Sequence, residues 1–250
     1  MNIKPAKEIC VARYDFAING AWLAREEQPA QIGEKFMAML DAFGQIEPAF
    51  SNWRLGDYAE LTMVPMKYVA NDITGLVENN VHGAHLRRPE PKFGYGMEAC
   101  SRAGPISKWL NIRMVVGSSR DDMNNIHLGT GSQEPLDLEI VTYPAFRAML
   151  TTLVSIWTPA WLNAYAYNME PTPAEAAQRR GRTRPWIIYL SAPLAVDLEA
   201  PADVICEETP DGGRLLAIAD QRPFLTSAQH MARSDALFDM LKDRVQSPYN

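Results

Sequence analysis

The sequence predicts an α+β fold in which antiparallel β-meander sheet carries helices packed on one face. Three observations predict it. Side chains alternate apolar and polar from Phe93 to Val141, as half-buried strands require. Apolar residues recur at helical spacing at Ile32, Phe36, Met39, Leu40 and Phe43, and again from Phe146 to Trp157. Finally, a continuous apolar run, Trp186 to Leu190, precedes a hairpin signal at Pro210-Asp211-Gly212-Gly213.

Taken in order, Cys10 to Ile18 reads as a strand that Asn19-Gly20 turns outward. A helix follows from Pro29 to Phe43, with proline suited to its first turn and Gly44 to its stop. Phe50, Trp53 and Leu55 fall in an irregular stretch that plugs the end of the core. Pro65 starts a second helix with the stripe Met66, Val69, Ile73, Leu76 and Val77, ended by Asn79-Asn80 and Gly83 before a proline-rich connector at 87–91.

The central stretch reads as four strands. Phe93, Tyr95, Met97 and Ala99 make the inner parity of the first; Leu110, Ile112, Met114 and Val116 that of the second; Ile126 and Leu128 that of the third; Leu136, Leu138 and Ile140 that of the fourth. Turn chemistry lies at 117–122 and 129–132. The opposite parity, Asn111, Arg113, Asn125, His127, Asp137 and Glu139, then forms a polar face that is either plain solvent surface or a docking surface.

Pro144 opens the helix with the strongest apolar stripe, which Thr158-Pro159 stops. Trp161 to Tyr167 alternates as a strand, and Thr172-Pro173-Ala174-Glu175 reads as a capping box for a short helix ending at Gly181. Val204 to Thr209 and Arg214 to Ala219 form the hairpin arms, and Thr226-Ser227 caps a last helix with Met231, Leu237, Phe238, Leu241 and Val245 inward. One domain over residues 1–250 accommodates all of this, with sub-lobes 1–158 and 159–250 that repeat a coarse element order without a sequence repeat.

At 47% hydrophobic and 22% charged, the 250 residues have the composition of a globular domain. A net charge of −6 argues against direct nucleic-acid or anionic-membrane binding and favours a basic protein partner. The one basic cluster, Arg179 to Arg184, suits a helix C-terminus. No stretch reaches the length of a membrane span and Met1 to Cys10 lacks a signal-peptide core, which predicts a cytoplasmic chain. Cys10, Cys100 and Cys206 are read as reduced, buried thiols.

Signals of catalysis are few. No dinucleotide fingerprint, phosphate loop or nucleophile elbow occurs, so neither a cofactor nor a catalytic residue is assigned. The alternative to a binding protein is a metal-assisted hydrolase using His82, His85 or His127 with Asp121 and Asp122, although no fuller ligand set at metal spacing accompanies them. Asp121-Asp122 also suits an ordinary turn. Glu207, Glu208 and Asp211 form an acidic patch at the hairpin.

Trp22, the Phe36 to Phe43 helix, Phe50-Ser51-Asn52-Trp53, Trp157-Thr158-Pro159-Ala160-Trp161 and Pro185-Trp186-Ile187-Ile188-Tyr189-Leu190-Ser191, in this order, resemble immunity protein family 52 of bacterial polymorphic toxin systems. Pro185 departs from the glycine expected before the last motif's tryptophan. The resemblance implies an α+β, non-catalytic cytoplasmic antidote, associated with type VI secretion and encoded beside a toxin that often carries a restriction-endonuclease-like nuclease domain. It makes the toxin the expected partner, and with the acidity it singles out Asp121, Asp122, Asp137, Glu139, Glu207, Glu208 and Asp211 as candidate contacts; the motif tryptophans, each beside an apolar stripe or a proline that ends an element, are expected in the core. A third reading is a structural adaptor of a secretion apparatus.

Overall fold

The computed structural model describes residues 14–57, 62–82, 91–120, 124–129, 137–168, 185–222, 227–242 and 244–245. Its organising element is β1 (Tyr14–Ala21), a strand with sheet on both sides. Among the described residues, ten antiparallel strands run in the order β3-β2-β4-β5-β6-β1-β7-β8-β10-β9, where β2 is Arg54–Asp57, β3 Thr62–Pro65, β4 Tyr95–Cys100, β5 Asn111–Val116, β6 Asn125–Gly129, β7 Trp161–Asn168, β8 Pro185–Leu190, β9 Ile205–Glu208 and β10 Arg214–Ala217. The expected α+β meander architecture is thus present as one continuous sheet.

The alternation in the sequence sets which side chains face the core. Met97, Met114, Ile126 and Gly20 occupy one cross-strand row; Ala99, Ile112, Leu128 and Ile18 occupy the next. All eight are buried, and each row fills a layer beneath the helices. Those helices are α1 (Pro29–Ile46), α2 (Met66–Val69), α3 (Ile73–Asn79) and α4 (Tyr143–Trp157). The stripes of α1 and α4 are buried as their spacing predicts. Thr142 Oγ1 accepts the Ala145 N–H to start α4, and Thr158, in the left-handed conformation with φ 43°, ends it.

Trp22 stacks on Trp157 with ring centroids 5.9 Å apart, which ties the exit of β1 to the end of α4. Beside them Arg25 donates to Trp157 O at 2.9 Å, where a cation also suits the helix C-terminus. At the other end of the layer Phe146 lies 5.2 Å from Trp186 and 6.2 Å from Phe16. The register shift between the Ala164 and Tyr165 pairings coincides with this ring cluster. All six residues of β8 are buried, as its apolar run implies. Helices α5 (Ala192–Ala195) and α6 (Ala228–Leu241) pack against it, and Ser234 Oγ donates to Pro185 O at 2.9 Å.

Several expectations are corrected. Asn19 and Gly20 do not turn the chain: both lie within β1, and a Cβ on Gly20 would meet Leu162 Cδ2 at 2.3 Å, so glycine serves close strand approach. Among the described residues the fourth meander strand is absent: Leu138–Ile140 forms a 3-10 turn in which Asp137 Oδ1 accepts the Glu139 N–H at 3.0 Å. Strand β6 pairs with β1 instead. Helix α1 passes through Gly44 to Ile46. The irregular stretch after Phe50 yields β2 at Arg54.

The helix begun at Pro65 breaks after Val69 and restarts when the Asp72 side chain accepts the Gly75 N–H, so that only Leu76 and Val77 of the expected stripe are fully buried. Cys100 is buried, but Cys206 is exposed on the edge strand β9. The strand start at Cys10, the turns at 121–122 and 130–132, the helix expected at 172–181, the Arg179–Arg184 cluster and the 87–90 part of the proline-rich connector lie outside the described residues.

Candidate functional site

The acidic candidates divide by what their carboxylates already hold. Asp211, in the β9–β10 turn, accepts hydrogen bonds from the Tyr189 hydroxyl, Thr209 Oγ1 and, at 3.4 Å, the Gly213 N–H. Burial opposes its charge, but these three donors outweigh burial and hold the carboxyl below the usual carboxylate range. The same contact and the burial of its ring push the Tyr189 hydroxyl well above the usual tyrosine range, burial being the larger cause.

Glu207 is similarly engaged. It accepts from Arg147 Nε at 2.9 Å and from the Tyr143 hydroxyl at 3.3 Å. The Arg147 hydrogen bond, more than anything else, lowers the Glu207 carboxyl. Asp137 is lowered first by the Glu139 N–H and then by Lys108, whose Nζ is 3.1 Å away. The Glu139 carboxylate lies 3.6 Å from the same lysine, and its side chain is 84% exposed. Glu208 points outward and is exposed.

These residues sit at the N-terminal end of α4. The 3-10 turn that holds Asp137 and Glu139 leads directly into the helix, Arg222 donates to Leu138 O at 2.8 Å, and Tyr143 reaches Glu207 across to β9. Asp137 and Glu139 thus stand on the turn that leads into α4, and Glu207 is held by Tyr143 and Arg147 of the first turns of α4, whereas Glu208, next along β9, faces the opposite side of the sheet. Asp121 and Asp122 lie outside the described residues.

A second surface is a straight transverse row on the sheet face away from α1 and α4. Glu98, Arg113, His127, Asn19 and Asn163 are direct cross-strand partners on β4, β5, β6, β1 and β7. Their side chains are linked. Arg113 Nε lies 3.1 Å from Glu98 Oε1, His127 Nδ1 lies 2.6 Å from Asn19 Oδ1, and Asn19 Nδ2 donates to the Tyr165 hydroxyl at 3.0 Å. Partial desolvation on the sheet, and secondarily the Arg113 charge, lower the His127 pKa, so the ring is neutral at neutral pH.

Arg113, Asn125, His127 and Asn111 were visible in the sequence as one polar parity; the expected members Asp137 and Glu139 instead stand on the 3-10 turn. The sequence reading missed Asn19, Asn163, Tyr165 and Glu98. Their polar alternation within β1, β4 and β7 was the available signal, masked at Asn19 by the glycine that follows it.

His82 and His127 were also candidate ligands. The His82 N–H donates to Gly94 O at 2.8 Å, while His85 lies outside the described residues. Among the described residues no three His, Cys, Asp or Glu side chains converge as a metal site would require. Nor is any described helix long and apolar enough to cross a membrane.

The described residues form an α+β fold whose sheet displays charged and hydrogen-bonding groups over a deep core. The chain belongs to the immunity protein 52 family, whose sequence pattern matches residues 15–244. Among solved structures, the Pseudomonas aeruginosa T6SS protein PA0821 is similar, with a TM-score of 0.55 and 14% sequence identity over 92% of this chain and 72% of that one. At that identity the likeness is one of fold. No curated protein matches the chain in sequence. The family makes this an immunity protein, and a cognate toxin its partner.

Proposed function

We propose that the chain is a non-enzymatic cytoplasmic antidote that binds an antibacterial toxin, of restriction-endonuclease-like nuclease type, and keeps it from its nucleic acid. Family membership across residues 15–244 is the observation that carries this reading. The net charge of −6 supports a nuclease partner, because a nuclease is basic around its substrate cleft and an acidic inhibitor is drawn towards it.

The acidic residues contribute unequally. Glu139 and Glu208 are exposed and attract a basic surface; Asp137, Glu207 and Asp211 spend their lone pairs largely on internal donors. Asp121 and Asp122 add to the same acidic balance. Steering of this kind raises the association rate and weakens with salt.

The test is co-expression of this chain with the toxin encoded beside its gene. Survival of the cells, together with a stable one-to-one complex of the purified proteins, is the expected outcome. Death of the co-expressing cells despite abundant folded chain would refute the reading.

A further inference from the structure

Resting on the antidote reading, we propose that the transverse row on the open sheet face is a toxin-docking surface, with His127 Nε2 accepting a hydrogen bond from the toxin and Arg113 donating one to it. The geometry assigns these roles. Asn19 uses its Nδ2 to donate to the Tyr165 hydroxyl, so Oδ1 is the atom turned towards His127 Nδ1, 2.6 Å away. An oxygen at that distance requires the proton on Nδ1. In the neutral ring, Nε2 is then left bare, as an acceptor.

Arg113 is its direct cross-strand neighbour. Glu98 engages Arg113 through Nε, and the Arg113 side chain is 75% exposed, so the outer guanidinium nitrogens face solvent. Arg113 and His127 are the exposed members of the row; Glu98, Asn19 and Asn163 are half-buried beside them. The cross-strand pairs on either side of Arg113 and His127, Val115 with Asn125 and Asn111 with Gly129, are less exposed than they are. The two exposed groups therefore offer one acceptor and one donor side by side.

The occupant fitting this pattern is a polar segment of the toxin that presents an N–H to His127 and a carbonyl or carboxylate to Arg113. Glu98 and Arg113 cancel in charge and His127 is neutral, so the row sets orientation and dissociation rate, while the acidic end at α4 sets the approach. The titratable and charged groups facing His127 from the neighbouring strands are Arg113 on β5, Glu98 beyond it on β4 and Tyr165 on β7. Of these, Glu98 is engaged by Arg113 and the Tyr165 hydroxyl receives the Asn19 Nδ2 donor.

The experiment is calorimetry with the catalytically disabled toxin domain at about pH 7.5 and again at the acid pH at which nitrogen-15 NMR of the free chain shows both His127 ring nitrogens protonated, using the wild-type chain and the variants His127→Gln, His127→Phe and Arg113→Ala. Wild-type affinity should weaken at the lower pH. His127→Gln, which retains an acceptor but cannot titrate, should bind with little pH dependence. His127→Phe and Arg113→Ala should each weaken binding about tenfold at the higher pH, with melting temperatures unchanged.

Wild-type binding with both of those variants equally tight would overturn this surface and leave the antidote reading intact. No binding by the wild-type chain would overturn both. A change in self-association of the variants by sedimentation, with toxin affinity unaltered, would give the face to a second copy and also overturn the proposal.

Discussion

Tyr189, fully buried in the middle of β8, donates its phenolic hydrogen to the Asp211 carboxylate in the β9–β10 turn. A residue of the core thereby fixes the turn of an edge hairpin, and a candidate contact residue is turned to structural use. Asp211→Ala should destabilise the fold by about 1–3 kcal/mol, because it strands a buried hydroxyl. Tyr189→Phe, which removes the hydroxyl itself, should cost only about 0.5–1.5 kcal/mol. Denaturant unfolding measures both, and toxin affinity should not change.

The same pair sets an acid limit. The Asp211 carboxyl titrates lower in the folded chain than in the unfolded one, so its contribution is complete above the ordinary aspartate range, near pH 4, and is lost as pH falls through the folded value. Asp211→Asn should therefore flatten the decline of stability on acidification. Unfolding midpoints measured down the acid range compare the two chains.

Gly20 is a packing residue. A methyl group there would meet Leu162 Cδ2 at 2.3 Å and Trp161 O at 2.7 Å, and the carbonyl belongs to a paired strand that cannot yield. Gly20→Ala should lower stability by about 1–3 kcal/mol. Thermal melting of the variant reads this directly.

Glu139→Lys combined with Glu208→Lys removes two exposed carboxylates and raises the charge by four. The toxin on-rate should fall several-fold at low ionic strength, with the difference shrinking as salt is added. Arg147→Ala, which makes the chain more acidic, should raise the on-rate while costing at most about 1 kcal/mol of stability, since its partner Glu207 is partly exposed. Stopped-flow association at several salt concentrations separates these effects.

For the free protein, nitrogen-15 NMR of His127 should show a protonated Nδ1 and a bare Nε2 at neutral pH. On acidification both nitrogens should become protonated below the usual histidine range, near pH 6.5. A ring protonated on Nε2 instead would contradict the hydrogen-bond chain through Asn19.

Local periodicity made much of the fold legible. The stripes of α1 and α4, the inner parities of β4 to β6 and the apolar run of β8 each announce burial through nearby residues alone. What stayed hidden depends on distant partners. Gly20 looks like a turn until Leu162 is placed beside it, and nothing near Tyr14 to Ala21 states that β1 lies between β6 and β7. Leu138 and Ile140 alternate as a strand would, but one Asp137 side chain bonded to the Glu139 N–H is enough to curl so short a run.

The candidate site was legible to a similar degree. The polar parity of β5 and β6 could be seen in the sequence, whereas the row through Asn19 and Asn163 exists only once five strands are in register. Among the acidic residues, charge alone could not distinguish Glu139, left to solvent, from Asp211, consumed by Tyr189 and Thr209.

The central claim is that this chain neutralises a toxin by binding it. Titration calorimetry against the toxin domain encoded beside its gene, catalytically disabled so that it can be purified, tests that most directly. The account predicts one-to-one binding with a dissociation constant in the nanomolar range, about −12 kcal/mol. Absence of binding at micromolar concentrations would contradict it.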